Sequence, residues 1–195
     1  MAESPPQLPA PGATSGPEDE ASAALAIVSS NEARPSGRAG YSLRPVGDED
    51  LAFLRRVYSS TRTEELAVTG WDDATKEAFL AQQFAAQHAH YLGNYEGATY
   101  DVVIVDGEPA GRLYVARWDD EIRVMDVALL PEHRGRGVGT RLLESLLEEG
   151  ERSGKKVSIH VERANPAVAL YERLGFEPVE EKGVYVLMER VSAGE

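Results

Sequence analysis

Arg134-Gly135-Arg136-Gly137-Val138-Gly139-Thr140 sets three glycines at alternate positions among arginines, between a strand-like run and a helix-like run. A turn of this kind that opens a helix leaves backbone N–H groups without intrahelical partners at the positive end of the helix dipole. Glycines let an anion approach that backbone with no Cβ in the way. Arg134, Arg136 and Arg141 bring positive charge to the same place. The chemistry expected of the stretch is therefore phosphate binding.

The flanking elements must hold this cradle. Ile122 to Leu130 is apolar and β-branched enough for a buried strand, closed by Pro131. Val138, Leu142, Leu143, Leu146 and Leu147 then recur at the spacing of one helix face, and Gly154 supplies a stop. Two familiar phosphate loops are excluded. Thr140 follows the third glycine with no lysine between them, which rules out a Walker loop, and that glycine falls one place early for a dinucleotide fingerprint.

Arg134, Gly137 and Gly139 form an Arg-x-x-Gly-x-Gly pattern that resembles the pyrophosphate loop of the GNAT superfamily of acyl-CoA N-acyltransferases. Some thirty residues on, Asn165-Pro166-Ala167-Val168-Ala169-Leu170-Tyr171-Glu172-Arg173-Leu174-Gly175-Phe176 is similar to that family's Asn…Ala…Leu-Tyr-x-x-Leu-Gly-Phe segment. The resemblance runs from about Tyr41 to Arg190 and is strongest from Ile122 to Phe176.

The resemblance implies a mixed, mainly antiparallel α/β sheet splayed between its fourth and fifth strands and flanked by helices. It also implies acetyl-CoA as co-substrate, with its pyrophosphate on the amides from Gly135 to Thr140, Val138 and Gly139 among them. Val127, Ala128 and Leu129 match the strand end whose backbone pairs with the pantetheine arm and holds the thioester oxygen. Tyr171 matches the general acid for the departing thiolate. Asn165 matches a cofactor-binding asparagine, although it stands six residues before Tyr171 where the family more often has seven. His160 lies five residues before Asn165, where some members carry a catalytic carboxylate, and an ordinary histidine pKa near ~6.5 suits proton removal from an ammonium. Glu162 on the same strand face, Asp126 on the fourth strand, or a chain of waters are the alternatives. The acceptor implied is an amine-bearing small molecule or peptide. Dimers are common in the family, and no stretch here establishes one.

Composition narrows the rest. The 195 residues suit one domain, read as 39–195 after a Pro-, Ala-, Ser- and Glu-rich leader at 1–38 expected to be disordered. Zero cysteines exclude a catalytic thiol, disulfides and thiolate metal sites, and no metal is expected. A net charge of −13 argues against nucleic acid. With no membrane-length apolar run and no secretory signal, the expected compartment is the cytoplasm. A binding-only relative of the family is the competing, non-enzymatic reading.

In chain order, Tyr41–Pro45 reads as a strand, and Asp48 as the N-cap of a helix carrying Leu51, Leu54, Val57 and Tyr58. A polar loop over 59–71 precedes a second helix from Ala74 to about Tyr91. Polar and aromatic residues there, Glu64, Glu65, Trp71, Asp72, Gln83, Gln87, His88 and Tyr91, could line an acceptor pocket. Hairpins turning at Asp106-Gly107 and Lys182-Gly183, a strand over Lys156–Glu162 and a helix over Asn165–Leu174 complete the pattern.

Overall fold

A computed structural model describes residues 40–191, together with the backbone of Arg34–Pro35. The leader expected over 1–38 otherwise lies outside the described residues.

Seven strands form one mixed sheet: β1 (Ser42–Pro45), β2 (Thr99–Val105), β3 (Glu108–Arg117), β4 (Glu121–Leu129), β5 (Lys156–Glu162), β6 (Glu177–Lys182) and β7 (Tyr185–Arg190). Their spatial order is β1-β2-β3-β4-β5-β7-β6, and the short Arg34–Pro35 segment pairs antiparallel with β1 at the edge. All pairs are antiparallel except β4–β5. The helices are α1 (Leu51–Ser60), α2 (Thr63–Ala67), α3 (Asp73–Asn94), α4 (Val138–Ser153) and α5 (Val168–Arg173).

The sheet has two differently built faces. On one, Leu113, Val115, Ile122 and Val124 meet Val157, Ile159 and Val161 beneath Leu142, Leu143 and Leu146 of α4 and Tyr171 of α5. Leu142 and Leu143 are each 1 % exposed, and burying a side chain of this size contributes roughly 1.5–3 kcal/mol. On the other, Leu54 and Tyr58 of α1 and Phe84 and Tyr91 of α3 pack over Tyr114. Strand alternation puts Arg112, Asp126 and Ala128 with Tyr114 on this second face, and Ser158, His160 and Glu162 of β5 on the same side.

Four local expectations change. Asp48 does not cap α1: Asp48–Asp50 is a 3₁₀ turn, and the Asp50 carboxylate instead accepts from Gly47 N–H at 2.8 Å and pairs with Arg44 at 2.7 Å. The loop expected over 59–71 contains α2, whose first turn carries Glu64 and Glu65 and whose one buried residue is Leu66; so few apolar positions leave little periodicity to read. α3 starts where Asp72 accepts from Thr75 N–H at 2.7 Å and runs to Asn94, past the expected end. α5 is shorter than expected, because Asn165–Ala167 form a turn ahead of it. The Asp106-Gly107 turn has φ of 53° and 85°, the left-handed pair that suits a tight hairpin.

Leu142→Ala should lower the unfolding free energy by about 2–5 kcal/mol through a cavity under α4. A urea midpoint within error of the parent would remove that helix face from the core.

Candidate functional site

The β4–β5 ladder has four rungs, from Glu121↔Lys156 to Val124↔Ile159, and then stops. Beyond it β5 continues against β7 as far as Glu162↔Tyr185, while β4 stays with β3 to Leu129. The parting has a local cause. Between Tyr114↔Asp126 and Val115↔Val124 the β3–β4 register shifts, leaving Met125 as an extra residue on β4. A bulge bends and twists its strand, and this one sits one residue past the last rung. The closed half is cross-linked by side chains: Arg123 bonds Ser158 and meets His160 Nδ1 at 3.1 Å, Ser158 bonds Glu121, and Lys156 pairs with Glu121 at 3.7 Å.

The gap exposes an edge of backbone. Leu130 N–H donates to Ala110 at 2.9 Å, so by antiparallel alternation Ala128 faces β3, and the N–H and C=O groups of Val127 and Leu129 point into the gap. Leu129 C=O is taken by Arg134 Nε at 2.7 Å. The ladder gives the N–H groups of Val127 and Leu129 no strand to bond.

The glycine turn lies at the end of this edge. Gly137 is the N-cap of α4 with φ 75°, and it has no side chain with which to cap the helix. Arg141 N–H, on Gly137 C=O at 3.1 Å, is the first to close a helical bond, so the N–H groups of Val138, Gly139 and Thr140 precede the ladder. Gly135 also sits at positive φ, 69°, with nothing within 4 Å of where a Cβ would stand. These features suit a diphosphate. Arg141 fits as well: its Nε is buried without a hydrogen-bond partner among the described residues, and its Nη1 lies 3.1 Å from the Cβ position of Gly137. The other two arginines are engaged. Arg134 holds Leu129 C=O and Ser60 and so ties the strand end to α1, and Arg136 pairs with Asp106 at 3.4 Å on the surface.

Tyr171 comes from α5 on the α4 side and is 5 % exposed, edge-on to Phe176 at 5.9 Å. Burial, helped by the Asp126 charge across the gap, pushes its phenol up to about 12, which keeps the proton on the oxygen. Asn165 Oδ1 accepts from Ala167 N–H at 2.9 Å, a structural turn that leads into α5.

The base expected at His160 has another partner. Arg123 is a donor only, so its contact at 3.1 Å requires a lone pair on Nδ1, which leaves the proton of the neutral ring on Nε2. Burial, then the nearby Arg123 and Lys182 charges, hold the His160 pKa below its ordinary value. A proton can be taken up only by breaking the Arg123 contact, so His160 is placed as a tie across the closed half of the strands. Glu162, two residues on, is half-exposed at the open end, accepts from Tyr185 OH at 3.2 Å and lies 3.6 Å from Arg62. The Asp126 oxygens take Arg112 at 2.7 and 3.2 Å and Tyr91 OH at 3.3 Å.

Of the polar residues expected to line an acceptor pocket, Gln87 and Tyr91 do reach the Arg112–Asp126 pair, and His88 stacks on Phe84 beside them. Asp72 is a helix cap, and Trp71 packs on Phe79. Sequence reasoning passed over Arg112, Arg62 and Tyr185. Arg112 carries a signal of its own: it shares strand parity with Tyr114 inside a run that is apolar on both faces, where a charge needs a buried partner.

The acetyltransferase (GNAT) family model matches residues 51–176. A Bacillus subtilis protein provisionally described as a ribosomal protein bS18-alanine N-acetyltransferase is 32 % identical over 134 residues, covering 67 % of this chain and 76 % of the relative. The Mycobacterium tuberculosis N-alpha-acetyltransferase RimI is 34 % identical over 110 residues, 55 % of this chain and 65 % of that protein. Among solved structures, the PaiA N-acetyltransferase of Thermoplasma acidophilum, in complex with coenzyme A, shares the fold with a TM-score of 0.60 at 17 % identity, covering 77 % of this chain and 98 % of the other. The chain belongs to the GNAT family of acetyltransferases. It is thus an acyl-CoA N-acyltransferase of the EC 2.3.1 type with acetyl-CoA as co-substrate. Among the described residues no helix is long and apolar enough to cross a membrane, and no group of His, Cys, Asp and Glu could hold a metal ion.

The depressed His160 pKa has a sign. The unfolded chain binds the proton more readily, so the contribution of the neutral ring to stability is full above about pH 6.5 and is lost as pH falls. Denaturant titrations at about pH 7 and about pH 5 should show a smaller acid loss in His160→Gln than in the parent. Equal losses would contradict the tie.

Proposed function

We propose that this chain transfers acetyl from acetyl-CoA directly to a free amine, without an acyl-enzyme, and that residues 39–195 are the catalytic domain. The observation that carries the reading is the early end of the β4–β5 ladder beside a glycine-capped helix. A strand edge with unused N–H groups and a set of orphan helical N–H groups lie on one continuous path, as a long thioester ending in a diphosphate requires.

The roles follow from the faces. The N–H groups of residues 135–140, with Arg141, hold the pyrophosphate from the α4 side. Val127 and Leu129 lay their backbone edge along the pantetheine arm, and one of their N–H groups stabilises the charge that develops on the thioester oxygen. The amine enters from the α1–α3 side, and Glu162 takes its proton, passing it to solvent at the open end of β5. As the nitrogen bonds to the carbonyl carbon, the C–S bond breaks, Tyr171 gives its proton to the departing sulfur, and the proton the nitrogen sheds on becoming an amide restores the phenol. Transfer consumes one amine and one thioester, and leaves one amide and one thiol.

The name of the Bacillus relative and that of RimI support a peptide α-amine as acceptor, with alanine at the N-terminus as the first to try. The net charge of −13 suits a basic peptide.

An alanyl peptide incubated with acetyl-CoA should gain one acetyl group at its α-amine by mass spectrometry and release one thiol. No transfer to this peptide or to a panel of small primary amines would refute the reading. Gly137→Asp puts a carboxylate against the pyrophosphate and should abolish acetyl-CoA binding in calorimetry; unchanged affinity would remove the cradle. Tyr171→Phe should leave that affinity intact and lower kcat by about 10²-fold or more.

A further inference from the structure

Arg112 is 2 % exposed, and its guanidinium is spent on Asp126, with Nη2 also on Gln87 at 3.0 Å. A buried ion pair stabilises a fold little compared with apolar residues of the same volume, so its presence beneath the bulge calls for another reason. Asp126 supplies one. It is the residue between the bulge at Met125 and the open edge at Val127, it lies on the α1–α3 face by register, and its side chain keeps 12 % of its surface accessible. From across the gap its charge acts on Tyr171.

Oδ2 takes both Arg112 and Tyr91, whereas among the described residues Oδ1 takes only Arg112 Nε at 3.2 Å and has a second lone pair to offer. We propose that Asp126, held in place by Arg112, accepts a hydrogen bond from the N–H of the incoming amine through Oδ1 and so turns the nitrogen lone pair towards the thioester carbon. This rests on the acetyltransferase reading above and adds the residue that orients the acceptor.

Removing Asp126 alone strands a buried arginine, so the test replaces the pair together, as Arg112→Met with Asp126→Leu. This double variant should fold with a melting temperature close to the parent's and bind acetyl-CoA with unchanged affinity. Its kcat/KM for the alanyl peptide should fall at least about tenfold, the scale of one lost hydrogen bond to a charged group. Asp126→Asn keeps an acceptor oxygen and should lose less. A folded double variant with normal acetyl-CoA affinity and parental kcat/KM would overturn the assignment while leaving the acetyltransferase reading intact. Should the parent itself transfer acetyl to no amine, both would fall.

Discussion

Everything about the site depends on where two parallel strands stop bonding each other. β4 and β5 share four rungs, and the polar ties among Glu121, Arg123, Ser158, His160 and Lys156 lie over that closed half. One residue later the bulge at Met125 turns β4 away, β5 stays with β7, and the backbone of Val127 and Leu129 is left as an edge inside the protein. An edge of unpaired backbone N–H groups is costly wherever water cannot reach it. It persists here because the surroundings over-determine it. The α4 side packs an apolar core to the limit of the gap, and on the other side Met125 of the bulge packs into the cluster of Leu54, Tyr58, Phe84, Tyr91 and Tyr114.

That geometry separates the two substrates. The glycine cap of α4 and the phenol of Tyr171 belong to one face, whereas Asp126 and Glu162 belong to the other, and the gap between β4 and β5 lies between them. In the proposed reaction, donors for the anionic cofactor therefore stand apart from the carboxylates that would receive the amine. The arginines near the cradle divide in the same spirit: Arg134 is spent on Leu129 C=O and Ser60 as a structural strap, whereas Arg141 sets its Nη1 beside Gly137 and keeps a buried Nε that has no partner among the described residues.

Much of this was legible in the chain. The glycine turn between an apolar strand and an amphipathic helix announced the cradle, since three glycines followed by Val138, Leu142, Leu143, Leu146 and Leu147 leave little other use for the backbone between them. The splay followed from the family resemblance and from nothing local, because a bulge is a relation between two strands and Met125 looks like any other strand residue. α2 was missed, since it buries only Leu66. His160 read as a base because a histidine near neutral pKa on a strand invites it; its real surroundings depend on Arg123, which faces it only through the parallel pairing of β4 with β5. Arg112 carried a signal in its place within a run apolar on both faces, and its partner became identifiable once the β3–β4 register was known.

The central claim is that the open β4 edge and the α4 cap together receive coenzyme A, and amide hydrogen exchange resolved by residue tests it most directly. Adding CoA should slow exchange at Val127 or Leu129 and at Val138, Gly139 and Thr140 together, with the closed rungs from Glu121 to Val124 unchanged. Protection that is absent from these amides at saturating CoA, or that appears only on the far side of the sheet, would contradict the account.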